Sequence, residues 1–278
     1  MKINKIVDYK PYEYQFCKLK KCRNITTLTT VNFQNREQTI QRLNKDEYFF
    51  LATGEVKEYN HTLNRSENMK SVRESIGRLR DLINNNFTGG NKELWVTLTF
   101  GKNKIYNPKE LLPYFEKFIK RLRYKYIDNK IDYIYIPEPH EKGFWHIHLL
   151  LKGSKELYIP NKILAELWGE GFVKVNRLND IDNVGAYVSA YLINIKEGEE
   201  TKKGARLSLY PSGHHIYRNS KGIIKPESII TTYREAKYNV RFSSLVYENT
   251  IQIETEEGYK NTIHYEQYNN YYNKKRQV

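Results

Sequence analysis

"GFWHIHLLL", residues 143–151, is the stretch from which the rest of the chain is read. Side chains on a strand alternate between two faces, so His146 and His148 point one way while Ile147, Leu149 and Leu151 point the other. The apolar set would anchor the strand against a packed layer. A core strand has no use for two imidazoles on one face, and the rise per residue puts them roughly 6–7 Å apart, a separation that suits two nitrogen ligands converging on one ion.

The neighbouring residues strengthen this reading. "DYIYIPEP" (132–139) reads as the preceding strand, stopped by its prolines and joined to the histidine strand by a short "HEKG" turn. Antiparallel pairing would bring the Glu138 carboxylate beside the histidines. Two imidazoles and one carboxylate leave coordination positions for water or a phosphate oxygen, as a catalytic site requires. Such mixed nitrogen and oxygen ligation suits Mn2+, with Mg2+ the abundant alternative. His140 competes for the third position, although it reads better as a turn histidine, and Glu138 has the plainer reading of a strand-end carboxylate.

Working outward, "LWVTLTF" (94–100) alternates as a strand, and "PKELLPYFEKFIKRLRYKY" follows as a helix with Pro108 in its first turn. "PNKILAELW" (160–168) is a helix, "FVKVNRL" a strand and "NVGAYVSAYLINI" (183–195) a further helix. The order β-α-β-β-α-β predicts an α+β fold, a ferredoxin-like split unit with an antiparallel sheet covered by helices on one face. Upstream, "NITTLTTVNF" reads as a strand, "EYFFLATGEVKEY" as a hairpin around Thr53-Gly54, and "MKSVRESIGRLRDLINNNF" as a helix. That helix carries Val72, Ile76, Leu79, Leu82 and Ile83 on one stripe, with Arg73, Arg78 and Arg80 off it as candidate DNA contacts. Downstream, a charged linker leads to a hairpin pattern, "SSLVYENTIQIETEEGYKNTIHY", and a polar end. These shifts divide the chain into an N-terminal accessory or DNA-gripping region (1–90), a core (91–224), and a C-terminal hairpin and tail (225–278).

The 278 residues carry a net charge of +14, which points to a polyanionic partner, nucleic acid first. The 24 tyrosines add stacking surfaces of the kind single-strand grooves use. An AT-rich genome would inflate tyrosine and lysine together, but it does not account for the charge. No apolar run reaches the eighteen or so residues of a membrane span, and the start lacks the apolar segment of a secretory signal. Cys17 and Cys22 fit a reducing cytoplasm; their C-x4-C spacing is either half of a zinc site or two ordinary thiols.

"AYVSAYLIN" places Tyr187 and Tyr191 at i, i+4 on one helix face. Such a pair usually packs, but a metal site upstream gives it a chemical use. A phenol of pKa near 10 is a poor nucleophile at neutral pH. An ion drawing charge off a phosphate eases attack, and the product is a phosphotyrosine ester that keeps the bond energy.

With these residues in view, the chain resembles the HUH endonucleases, in particular the rolling-circle replication initiators (Rep proteins) of bacterial plasmids and phages. "LWVTLTF" is similar to their first motif, "PEPHEKGFWHIHLLL" to the second and "AYVSAYLIN" to the tyrosine motif, and the resemblance covers roughly residues 48–224. It implies a metal-dependent nickase and ligase acting on single-stranded or hairpin origin DNA. A tyrosine would join the 5′ phosphate and leave a 3′ hydroxyl to prime a host polymerase. No Walker-type loop is present, so unwinding is expected from a host helicase. One departure stands out: where relatives place a lysine after the tyrosine, as Y-x-x-K, this chain has Ala190 and Asn194, and Lys196 or an arginine from elsewhere would have to substitute. A relaxase or transposase shares the chemistry, and a non-catalytic origin-binding protein or autorepressor would share the fold.

Overall fold

The structure is a computed structural model that describes residues 2–33, 39–178, 181, 183–192, 204–254 and 258–270. In chain order the first elements are β1 (Lys2–Ile6), β2 (Phe16–Cys22), β3 (Ile25–Val31), β4 (Ile40–Arg42), β5 (Glu47–Phe50), β6 (Val56–Glu58) and α1 (Met69–Asn86). Next come β7 (Glu93–Phe100), α2 (Leu111–Lys125), β8 (Ile131–Pro139), β9 (Trp145–Gly153), α3 (Asn161–Trp168), β10 (Gly171–Asn176) and α4 (Val184–Leu192). The last are β11 (Arg218–Asn219), β12 (Glu227–Thr232), α5 (Tyr233–Asn239), β13 (Ser244–Glu254) and β14 (Lys260–Asn269). The chain divides into two compact units, one of Asn64–Pro226 and one of Met1–Leu63 with Glu227–Val278.

The Asn64–Pro226 unit is built on an antiparallel sheet of order β10-β7-β9-β8-β11. Its first four strands have the spatial order of a ferredoxin-like α+β fold, as the element order predicts. Leu94, Val96 and Leu98 of β7 and Ile147, Leu149 and Leu151 of β9 face α2 and α3 in the larger core. Leu149 and Leu151 are fully buried, each contributing about 1.5–3 kcal/mol by leaving water. The start of α2 is set by Pro108, which opens a 3-10 turn over Pro108–Glu110, while the Asn107 side chain accepts from the Lys109 N–H. β8 includes both of its prolines rather than stopping at them. The short β11 pairs only with Tyr135 and Ile134, so the missing N–H of Pro137 breaks no ladder bond.

The expectation of helices on one face holds for α2 and α3, but the other face is covered in part as well. Trp95, Ile134, Ile136 and Leu150, the apolar residues of that second face, pack under the end of α1 and under Val184 and Val188 of α4. Apolar residues at alternating positions on both faces call for cover on both. The stripe predicted for α1 is buried throughout, from Val72 to Ile83, and Asn68 caps the helix by accepting from the Ser71 N–H.

The second unit contains a six-stranded antiparallel sheet of order β1-β13-β14-β3-β2-β12 and a three-stranded one, β4-β5-β6. The strand at 25–31 and the hairpins at β5–β6 and β13–β14 are present as expected, with Gly54 supplying the positive φ of its turn (71°). The boundaries differ from those suggested by composition. Residues 64–90 join the unit that holds β7–β11, and the two chain ends share one sheet through pairs such as Ile263 with Val31. Cys17 and Cys22 are buried thiols, not in a disulfide, and burial pushes Cys17 up to about 11. Among the described residues neither joins a cluster able to hold a metal. No helix among those residues is long and apolar enough to cross a membrane.

Candidate metal centre and tyrosine helix

The antiparallel register sets Glu138 opposite His146, and Ile136 opposite His148. The turn between them closes with the His140 N–H on Phe144 O (2.6 Å) and the Gly143 N–H on His140 O (2.8 Å), and Gly143 takes the left-handed conformation that this return requires (φ 83°). Glu138, His146 and His148 therefore converge, one ligand atom of each lying within 4.8 Å of the others. The imidazoles lean together more than strand geometry alone suggests. Their Nε2 atoms are 3.0 Å apart, and Glu138 Oε2 is 3.2 Å from His146 Nε2 and 2.5 Å from His148 Nε2.

Three donors turned on one point, two nitrogens and an oxygen, form a set that fits a divalent cation with positions left open. The surroundings prepare it. Thr97, opposite His148 on β7, places Oγ1 3.1 Å from Nδ1, which leaves Nε2 directed at the cluster. Burial alone would raise the Glu138 carboxyl, but hydrogen bonds with His146 and His148, and their charge, outweigh it and bring it from 4.5 to about 2. Glu138 and His148 are buried while His146 is partly exposed, so the approach to the cluster is from the His146 side. His140 lies outside it, stacked on Phe144 at 4.3 Å with its Nδ1 accepting from the Lys142 N–H.

Sequence reasoning missed Arg206. Its Nη1 donates to Glu138 Oε1 (3.3 Å) and to Pro139 O (3.4 Å), so the carboxylate offers one oxygen to the histidines and the other to a guanidinium. Its neighbour Tyr210 donates to Pro137 O (2.7 Å) and holds this segment against β8. Nothing in the local pattern of "KKGARLSLY" marks the arginine out.

Tyr187 stands on α4, half exposed, with its ring edge-on to Trp95 at 5.6 Å; Trp95 in turn lies 6.1 Å from the His148 ring. A single indole thus separates the tyrosine from the ligand set. The helix is fixed at its start by Asn183, whose Oδ1 accepts from the Ala186 N–H (2.9 Å). It is drawn against α1 at Gly185, whose N–H donates to Asn84 Oδ1 (2.7 Å). A Cβ there would lie 2.5 Å from Arg80 O. Tyr191 falls in the last turn of α4, and its side chain lies outside the described residues, as do Asn194 and Lys196.

The three α1 arginines have different surroundings. Arg80 donates from Nε to Ser189 Oγ (3.2 Å), tying α1 to the tyrosine helix. Arg78 pairs with Glu74 (3.6 Å) and donates to Ser75 Oγ (3.1 Å), while Arg73 is exposed.

Residues 93–196 match the family model for the Replication-associated protein of the ORF2 type. That span runs from β7 through the histidine hairpin to the tyrosine helix and covers under half of the chain. The match supports a Rep-type replication initiator, with DNA at a replication origin as its partner. No curated protein and no solved structure matches the chain.

Proposed function

We propose that this protein is a rolling-circle replication initiator of the HUH type, which nicks and rejoins single-stranded origin DNA through a 5′-phosphotyrosine intermediate. The observation that carries this reading is the convergence of Glu138, His146 and His148, with Tyr187 one indole ring away. A divalent cation, Mn2+ or Mg2+, held by those three residues would supply electrophilic polarisation of the scissile phosphate. Thr97 fixes the tautomer and orientation of His148, Glu138 stays ionised, and Arg206 orients its second oxygen. Tyr187 is exposed enough to meet DNA, and its helix is anchored by Gly185 and Asn183. Its hydroxyl oxygen attacks phosphorus, the bond to the 3′ oxygen breaks, and the 3′ hydroxyl is released to a host polymerase. Tyr191, at i+4, is the candidate for the second transfer that rejoins the circle. Arg73, Arg78 and Lys196 are proposed phosphate contacts, and a host helicase supplies unwinding in the cytoplasm.

The test is peptide mapping of the covalent adduct formed with an origin oligonucleotide. The adduct is expected on Tyr187, absent in Tyr187→Phe, and blocked by His146→Ala or His148→Ala while DNA binding persists, because phosphate contacts supply most of the affinity. An adduct that survives the double Tyr187→Phe, Tyr191→Phe change refutes the assignment.

A further inference from the structure

The six-stranded sheet has two unlike faces. Along β14 burial alternates without a break: Thr262, His264, Glu266 and Tyr268 are buried, and the residues between them are half exposed. The buried face lies under α5, with Cys17, Leu19, Leu28 and Tyr268 packed against Ala236 and Val240. Its carboxylate-histidine cluster is satisfied internally, since Glu266 accepts from Tyr233 (2.7 Å), Tyr268 (2.9 Å) and Lys237 (3.2 Å).

The opposite face carries a different set of residues. Register aligns Lys18, Thr29 and Tyr265 in one row across β2, β3 and β14, and Lys20, Thr27, Gln267 and Tyr247 in the next. Tyr247 is 52% exposed, its ring 5.9 Å from that of Tyr265, and Phe16, on the same face, is 54% exposed. Lys5 extends the face onto β1, where it pairs with Ile251. Among the described strand positions of this face there is no Asp or Glu. Lysine is depleted from the cores of protein interfaces. Exposed aromatic rings interleaved with cations are what a single strand uses, bases on the rings and phosphates on the ammonium groups.

We infer that the open face of this sheet binds single-stranded DNA, with bases stacking on Tyr247, Tyr265 and Phe16 and phosphates held by Lys18 and Lys20. The site lies on a different unit from the metal centre and outside residues 93–196, and only the choice of DNA over RNA rests on the replication reading. The test is fluorescence anisotropy of the full chain with a labelled oligo-dT that contains no origin sequence. Tyr247→Ala is expected to weaken binding about fivefold or more, with Tyr247→Phe, which keeps the ring, at wild-type affinity. Lys18→Ala should lower the slope of log affinity against log salt by about 0.7. The inference is overturned if Tyr247→Ala and Lys18→Ala both bind as wild type, or if oligo-U of the same length binds as tightly as oligo-dT. It also fails if Tyr247→Ala leaves DNA affinity intact and instead dissolves a dimer seen by light scattering, since the face would then belong to a second copy. Adduct formation read in parallel separates the two ideas. If the wild type binds oligo-dT as described but forms no tyrosine adduct, the nuclease reading falls and this one stands.

Discussion

Replacing Gly185 by alanine isolates the placement of the tyrosine helix from the ligand set. The added Cβ would meet Arg80 O at 2.5 Å and Asn84 Oδ1 at 2.7 Å, whereas ordinary contact begins near 3.4 Å. One neighbour is backbone of α1 and cannot swing aside, so α4 must move outward by about 1 Å. Overpacking of this kind costs about 1–3 kcal/mol, against a gain in intrinsic helix propensity of about 1 kcal/mol on replacing glycine. The clash wins, and the hydrogen bond from Gly185 N to Asn84 is stretched with it. A misplacement of about 1 Å at a reacting group lowers rates on the order of 100-fold. The expected outcome is an adduct-forming rate on an origin oligonucleotide reduced about 100-fold, with Mn2+ affinity by EPR titration unchanged, because Glu138, His146 and His148 sit on β8 and β9 and not on α4. Gly77→Ala is the control: it lies in α1 with open space at its Cβ, and should gain roughly 0.5–1 kcal/mol of stability without touching the rate. A folded Gly185→Ala protein that forms adduct at the wild-type rate, or one that loses Mn2+ affinity in step with activity, refutes the reasoning.

Three further outcomes are expected. Thr97→Val removes the partner of His148 Nδ1 and should lower Mn2+ affinity about 10- to 100-fold at little cost to the fold, measured by the same titration. Glu266 is raised by burial but lowered more by His264, Tyr233, Tyr268 and Lys237, from 4.5 to about 2, so its contribution to stability is present above pH 4.5 and lost as pH falls towards 2. Thermal melts from pH 7 to 2 should therefore show a drop in that window that is shallower in Glu266→Gln, and superimposable acid limbs would remove the carboxylate from the account. Binding to single-stranded DNA should fall linearly in log-log fashion as salt rises, as a chain of +14 gripping several phosphates requires; a flat response would assign the basic surface another purpose.

The residues legible in the sequence were those whose partners lie close along the chain. His146 and His148 declare themselves by period two, Glu138 by counting back across a short turn, and the α1 stripe by its 3.6-residue repeat. Arg206 was not legible, because it reaches Glu138 from 68 residues away and no periodicity reports such an approach. Nor was the interleaving of the two chain ends. The alternation of β3 and β14 shows that each is a strand, and it is the same whichever strand is the partner. Trp95 read as one more apolar strand residue. Its position between His148 and Tyr187 depends on α4 folding over the second face, which the apolar positions of that face allowed but did not specify.

The three ligands all lie between residues 138 and 148, on two strands joined by one tight turn. Closing so short a loop takes little chain entropy, and hairpins form in about 1–10 μs. The ligand set is thus assembled by the most local contacts in its unit. The tyrosine arrives separately, about forty residues later, on a helix that depends on the long-range docking of α4 against α1. Grip and nucleophile therefore belong to parts of the chain with different contact order. Local opening that releases α4 would disarm the cleavage chemistry while leaving the hairpin, and whatever ion it holds, in place.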